Sequence, residues 1–360
     1  MTATLTMRDK LYAWWEGIEP MPASDDARPE PETEPETEPE TEPETGKDDT
    51  GPDEGKSHSA TFRDRFMAWW EGSDISAEAP TAEDTRPHPK EDTTKIEKIQ
   101  TPEERRHVWN HTRIKICERI WGAGHVTPGG TEHIMKMVRP FALNPKMSYL
   151  DLGAELGGGA RAVSDAYGMW VTAMEPHEVL AAAGMEQSTM AGMGKKAPVV
   201  TYDPESVELR PNGFDCVFAK EIFYTVVDKR HIFSTIQKAM KKKGQMIFTD
   251  YLLARTDHME EETKNWAAHE PIRPEMWSVK QLRDYLTKAG FEIRIEDDMS
   301  KEMCDLILRG WSEAIRNFRP GQLEPEEGEV LLAEAELWAR RLGALESGDV
   351  RLYRMHILKH

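Results

Sequence analysis

The sequence predicts an α/β fold: a doubly wound, mostly parallel sheet with helices on both faces, preceded by a disordered acidic arm. Three observations carry this expectation. From residue 149 onward, short apolar runs alternate with helical patterns, as βα units require. A glycine-rich turn follows the first of these strands directly and opens a helix. Residues 16–60, by contrast, carry almost no large apolar side chains and cannot bury enough surface to offset chain entropy.

The elements follow in order. Thr101-Pro102-Glu103-Glu104 is a helix-start signal with Pro at the first helical position, predicting a helix over 102–121. The stretch Trp121-Gly122-Ala123-Gly124, ending at Gly129-Gly130, breaks it, and a second helix spans 131–139. Tyr149–Leu152 reads as a short buried strand and Ala160–Tyr167 as a helix. Trp170–Glu175 reads as a strand, Val179–Gly184 as a helical segment and Val199–Tyr202 as a strand. Phe214–Ala219 is a strand, Lys229–Met240 a helix, Gln245–Tyr251 a strand, Val279–Ala289 a helix and Phe291–Ile295 a strand. Residues 300–346 read as mainly helical, and Val350–Leu358 as a last strand of alternating character. Lys241–Lys243 are expected to cap the helix before them, and Trp311 and Trp338 to sit in the core with most of the methionines.

Ahead of this domain lies a repeat. Residues 7–17, MRDKLYAWWEG, return at 62–72 as FRDRFMAWWEG. Met7, Leu11, Trp14 and Trp15 share one helical face, as do Phe62, Phe66, Trp69 and Trp70, and Gly17 and Gly72 are plausible stops. Between the copies, EPETEPETEPETEPET over 30–45 places Pro at every fourth residue, which forbids a regular helix and makes a spacer. The organisation expected is a Trp-Trp helix within 1–17, a linker over 18–61, a second helix over 62–72, an acidic linker over 73–100 and a folded domain over 101–360. Two similar adhesive helices on one tether favour bivalent docking to a protein partner through Trp14, Trp15, Trp69 and Trp70. Packing on the chain's own domain, or on a membrane surface, are the alternatives.

The chain holds 65 acidic against 46 basic residues, a net charge of −19, which disfavours nucleic acid and anionic membrane surfaces. Cys117, Cys216 and Cys304 are odd in number and widely spaced, which fits a reducing, cytoplasmic setting. The N-terminus shows no apolar signal region, and no run approaches the ~20 apolar residues of a membrane span. His107 and His111 are one helical turn apart, but no carboxylate or thiol set completes a metal site, and none is expected.

The strongest chemical signal is Leu150-Asp151-Leu152-Gly153 followed by Gly157-Gly158-Gly159-Ala160. A strand ends in an acid, and a glycine turn that allows close backbone approach leads into a helix N-terminus. Glu175 ends the next strand, where a carboxylate suits ribose hydroxyls. No Gly-Lys-Ser/Thr follows, so the turn is not a P-loop.

With these motifs the chain resembles the class I S-adenosylmethionine (SAM)-dependent methyltransferases, in the branch of the phosphoethanolamine and sarcosine/dimethylglycine N-methyltransferases. The resemblance covers about residues 113–360. It rests on the 150–161 turn, on Trp121-Gly122-Ala123-Gly124-His125-Val126-Thr127-Pro128-Gly129-Gly130, and on Lys220-Glu221 with Asp228-Lys229. Phe248-Thr249-Asp250-Tyr251, Ala289-Gly290-Phe291 and Glu296-Asp297-Asp298 add to it. It implies a seven-stranded Rossmann-like methyltransferase sheet, SAM as cofactor and a small-molecule methyl acceptor. It further implies that Asp151 holds the SAM amino group, Gly153 and Gly157 line the methionine moiety, Glu175 binds the ribose and Asp203 sits near the adenine amino group. Glu221 and Tyr251 fall on the substrate side as candidate catalytic residues.

The chain also departs from the family pattern. Glu155 stands where the family has glycine, Cys117 replaces a tyrosine, Thr225 a histidine and Glu221 an aspartate; Lys242-Lys243-Gly244-Gln245 replaces Pro-Gly-Gly. Glu155 is expected either to clash with or repel the cofactor, to turn outward as a loop residue, or to attract the ammonium and sulfonium charges. Two functions therefore stand open: a methyltransferase acting on a small amine or similar metabolite, and a catalytically impaired pseudo-methyltransferase working as an interaction or SAM-sensing module.

Overall fold

The computed structural model describes residues 108–255, 259–318 and 323–360. The Trp-Trp repeats, the spacer, the linker over 73–100 and His107 lie outside the described residues.

The described residues start with α1 (His111–Trp121), whose N-cap Asn110 accepts a hydrogen bond from Arg113 N at 2.8 Å, and α2 (Gly130–Val138). Then come β1 (Tyr149–Leu152), α3 (Gly158–Tyr167), β2 (Val171–Glu175), α4 (Glu178–Met190), β3 (Val199–Thr201) and β4 (Phe214–Lys220). They are followed by α5 (Lys229–Ala239), β5 (Met240–Leu253), α6 (Glu261–His269), α7 (Val279–Lys288) and β6 (Phe291–Asp298). The last elements are α8 (Ser300–Asn317), α9 (Pro325–Ser347) and β7 (Val350–Lys359).

The seven strands form one sheet in the order β3-β2-β1-β4-β5-β7-β6. The first five pair in parallel, and β7 is antiparallel to both β5 and β6. Alternation along the strands divides the core. Tyr149, Ala173, Cys216, Phe218 and Ile247 face the side covered by α2, α3 and α4. Leu150, Leu152, Val217, Ala219 and Phe248 face the side covered by α5 and α7. A third apolar cluster joins α1, α8 and α9, with Trp121 edge-on to Trp338 at 4.9 Å and to Trp311 at 6.1 Å. Both Trp311 and Trp338 are thus core residues.

Three differences from the sequence reading are physical. Helix α5 ends at Ala239 because Met240 is already extended, so Lys241–Lys243 do not cap it; they lie in β5, where Lys241 Nζ meets Asp215 Oδ2 at 2.6 Å. The pairing of β5 with β4 jumps from Phe214↔Met240 to Cys216↔Gln245, and Lys243 takes φ +63° in this irregular stretch. Helix α4 runs on to Met190 beyond the expected segment. Helix α6 was not legible, since Thr263 and Trp266 are its only buried residues and leave almost no periodic signal. No helix among the described residues is long and apolar enough to cross a membrane.

Candidate cofactor site

The chain reverses direction across the sheet between β1 and β4, the place where doubly wound sheets open a crevice at their C-terminal strand ends. Two non-glycine residues there take positive φ, Glu155 and Glu221, each at +53°. Strain of this kind costs on the order of 1–3 kcal/mol per residue and concentrates at functional sites.

The glycines of the turn are required first by the protein itself. Gly158 N donates to Gly124 O at 3.1 Å, and a Cβ on Gly158 would stand 2.6 Å from that same oxygen. The 122–124 stretch and the 157–159 turn therefore pack backbone against backbone. Glu118 holds this contact, accepting from Gly124 N at 2.7 Å and from Gln187 Nε2 at 3.0 Å.

Asp151 lies at the end of β1, 4% exposed, and its carboxylate makes no hydrogen bond or ion pair with the described residues. Burial raises its pKa to about 7, the nearby Glu155 adds to that, and Lys220 works against it. Glu175 ends β2. Its oxygens accept from Glu155 N at 2.8 Å and His177 N at 3.0 Å, yet burial still lifts it to about 8. Tyr202, just past β3, is buried with a hydroxyl that finds no partner, and it feels the charges of Glu175, Asp151 and Asp203. Asp203 is exposed and caps a turn, accepting from Glu205 N at 3.0 Å and Ser206 Oγ at 2.7 Å. Asp151 and Glu175 are thus brought together; Asp203 stands at the rim.

Glu155 lies in the turn after β1 with its side chain buried, so it does not point outward as a surface loop residue. Its Oε2 accepts from Val126 N at 3.0 Å, its Oε1 from Thr127 Oγ1, and Lys220 Nζ stands 3.3 Å from Oε1. His125 Nδ1 approaches at 3.8 Å. Burial pushes this carboxyl up, but Lys220, His125 and Thr127 outweigh it and hold it near 2. Lys220, which burial alone would discharge, is kept protonated chiefly by Glu155 and then by Glu221.

On the other side of Lys220, burial raises the Glu221 pKa. Tyr251, 1% exposed, has its hydroxyl beside Glu221, whose carboxyl it lowers against burial, and packs on Tyr224 at 5.1 Å between ring centres. Arg341 pairs with Glu270, Nε to Oε1 at 2.5 Å and Nη2 to Oε2 at 2.7 Å, and its Nη2 stands 3.5 Å from Tyr224 Oη. Cys117 is fully buried, and Thr225 donates its hydroxyl to Ile222 O at 3.0 Å, so neither supplies a free acid or base. Sequence reasoning assigned no role to Tyr202, Lys220, Thr127, Arg341 or Glu270. Lys220 and Thr127 lie within quoted motifs, but they are 93 residues apart and their contact is tertiary.

A family model described as a methyltransferase domain matches residues 131–295. Phosphoethanolamine N-methyltransferase 2 of Caenorhabditis elegans is 24% identical over 244 residues, which is 67% of this chain and 54% of that protein. The chain therefore spans about half the length of that relative. Among solved structures, Haemonchus contortus phosphoethanolamine N-methyltransferase 2 in complex with SAM superposes with a TM-score of 0.62 at 21% identity, covering 71% of this chain and 58% of that one. A sarcosine dimethylglycine methyltransferase from Galdieria sulphuraria, so described in its structure, gives 0.56 at 15%, covering 69% and 98%. These likenesses establish a shared fold. Residues 131–295 thus match a methyltransferase-domain model, and the chain is similar to the phosphoethanolamine and the glycine/sarcosine/dimethylglycine N-methyltransferases.

Proposed function

We propose that the chain is a SAM-dependent methyltransferase acting on a small amine-type metabolite. The observation that carries this reading is Asp151, a buried carboxylate at the sheet's switch point with no partner of its own. An unpaired buried acid is costly, and a ligand ammonium arriving there relieves the cost. The unpartnered Tyr202 hydroxyl beside Glu175 supports a hydroxyl-bearing neighbour such as ribose, and Asp203 at the rim suits the adenine amino group. Glu155 pairs with Lys220 while Asp151 keeps no partner, which leaves Asp151 to meet a cationic ligand.

When bound, SAM supplies a methyl group activated by its sulfonium. The chain's part is to place an acceptor nitrogen in line with that group and to take up its proton. Glu221 is the candidate for the proton, since burial raises its pKa, and the Tyr251 hydroxyl beside it is the candidate to orient the acceptor. The names of the relatives direct the acceptor search to phosphoethanolamine, sarcosine and dimethylglycine.

A second reading has specific support: the seat filled by Glu155, the buried Cys117 and the Thr225 hydroxyl tied to its own backbone all favour a domain that binds without turnover. Calorimetric titration of the full chain with SAM, followed by mass-spectrometric detection of methylated acceptors, separates the two. Micromolar binding with product supports the enzyme. Binding without product from any of the three acceptors supports the second reading. No binding of SAM or of 5′-methylthioadenosine up to millimolar concentration defeats the cofactor reading in both.

The Trp-Trp repeat supports a bivalent docking arm for a protein partner, alongside a cytoplasmic setting. Replacing Trp14, Trp15, Trp69 and Trp70 with alanine should abolish recovery of that partner in affinity capture, and unchanged recovery sinks the proposal.

A further inference from the structure

Glu155 occupies a built anion seat. Four donors converge on its carboxylate from two separate parts of the chain: Val126 N, Thr127 Oγ1 and His125 from the loop after α1, and Lys220 from the end of β4. The residue keeps this arrangement at a positive φ, where a glycine would be relaxed. Beside the seat lies Asp151, unpaired and buried, and Lys220 is the one cation among the described residues whose charge acts on it.

An α-amino acid carries its ammonium and carboxylate on the same carbon. A ligand whose ammonium is held by Asp151 brings its carboxylate within a few ångströms of it, and Lys220, the cation whose charge acts on Asp151, already holds Glu155. Two carboxylates cannot share one lysine in a buried place without a large penalty. The tail of the cofactor and the side chain of Glu155 compete for one seat.

We infer that this crevice selects adenosyl ligands that keep the terminal amino group but lack the α-carboxylate, because Glu155 supplies that carboxylate from within the chain. The inference rests on Asp151 as the ammonium acceptor of the proposed cofactor site and refines which sulfonium donor the site takes. A decarboxylated donor keeps the sulfonium and its methyl group, so the transfer itself is unchanged. Its tail keeps the ammonium for Asp151 and brings no second carboxylate to Lys220.

The test is calorimetry on the full chain with three stable probes: S-adenosylhomocysteine, its decarboxylated analogue S-adenosyl-3-thiopropylamine, and 5′-methylthioadenosine, which lacks the whole tail. The wild-type chain should bind the decarboxylated analogue at least tenfold more tightly than S-adenosylhomocysteine. Glu155→Gly frees Lys220 and Thr127, and should bring that ratio to one or invert it. Glu155→Gln, which keeps the side-chain volume, should give an intermediate ratio and serves if the glycine variant does not fold. Equal or tighter wild-type binding of S-adenosylhomocysteine overturns the inference and leaves the cofactor reading standing. So does a ratio that Glu155→Gly leaves unchanged. Failure of all three probes to bind overturns both.

Discussion

Asp151 at the end of β1 and Glu155 in the turn after it are both buried, and burial leads to opposite outcomes. Asp151 meets no cation directly and is lifted from 3.8 to about 7; Glu155 meets Lys220 and three further donors and is drawn from 4.5 to about 2. The difference teaches that burial does not by itself decide the charge state in this crevice. The arrangement of donors does, and it marks one carboxylate as structural and the other as open to a ligand.

The sharpest way to break this comparison is to remove the cation. Lys220→Met leaves Glu155 buried and uncompensated, and should cost about 3–5 kcal/mol of stability in urea or thermal unfolding. The double variant Glu155→Gly with Lys220→Met should recover most of that loss. If the single variant unfolds like wild type, the ion pair is not what holds Glu155 in place.

A smaller effect tests the unpaired end. Asp151 and Glu175 have folded-state pKa values raised to about 7 and about 8, so over that range the folded state binds more protons than the unfolded one. Their contribution to stability is therefore greatest near and below their ordinary values and is lost as pH rises from about 4 to about 8. Glu155 runs the other way: its contribution is present above its ordinary value of 4.5 and is lost as pH falls toward about 2. Asp151→Asn should thus reduce the fall in stability between about pH 5 and about pH 8 by on the order of 1–3 kcal/mol, read from denaturant midpoints. A pH profile identical to wild type shows that Asp151 does not carry the proton.

Much of the fold was legible because its cause is local. β1 is a buried strand that ends in an acid beside a glycine turn, and its limits match those expected. The second helix, β4 and β7 lie within a residue or two of their expected limits, since apolar runs bounded by turn residues fix strands and helices at short range. β5 ran longer than expected because its lysine stretch carries no apolar pattern and is held by pairing with β4 and by Asp215. The places of Asp151 and Glu175 at the ends of β1 and β2 were also legible. The fate of Glu155 was not. It depended on Lys220, 65 residues away, and on the loop 28–29 residues before it.

The amino-acid sequence by itself determined the βα alternation, the glycine turn and the placing of acids at successive strand ends, because each follows from short-range periodicity and backbone sterics. Only the tertiary structure decided which of those acids is satisfied and which stays open. That depends on donors brought together from distant segments, and a buried charge is stabilised or penalised by what stands within a few ångströms of it, whatever its distance along the chain.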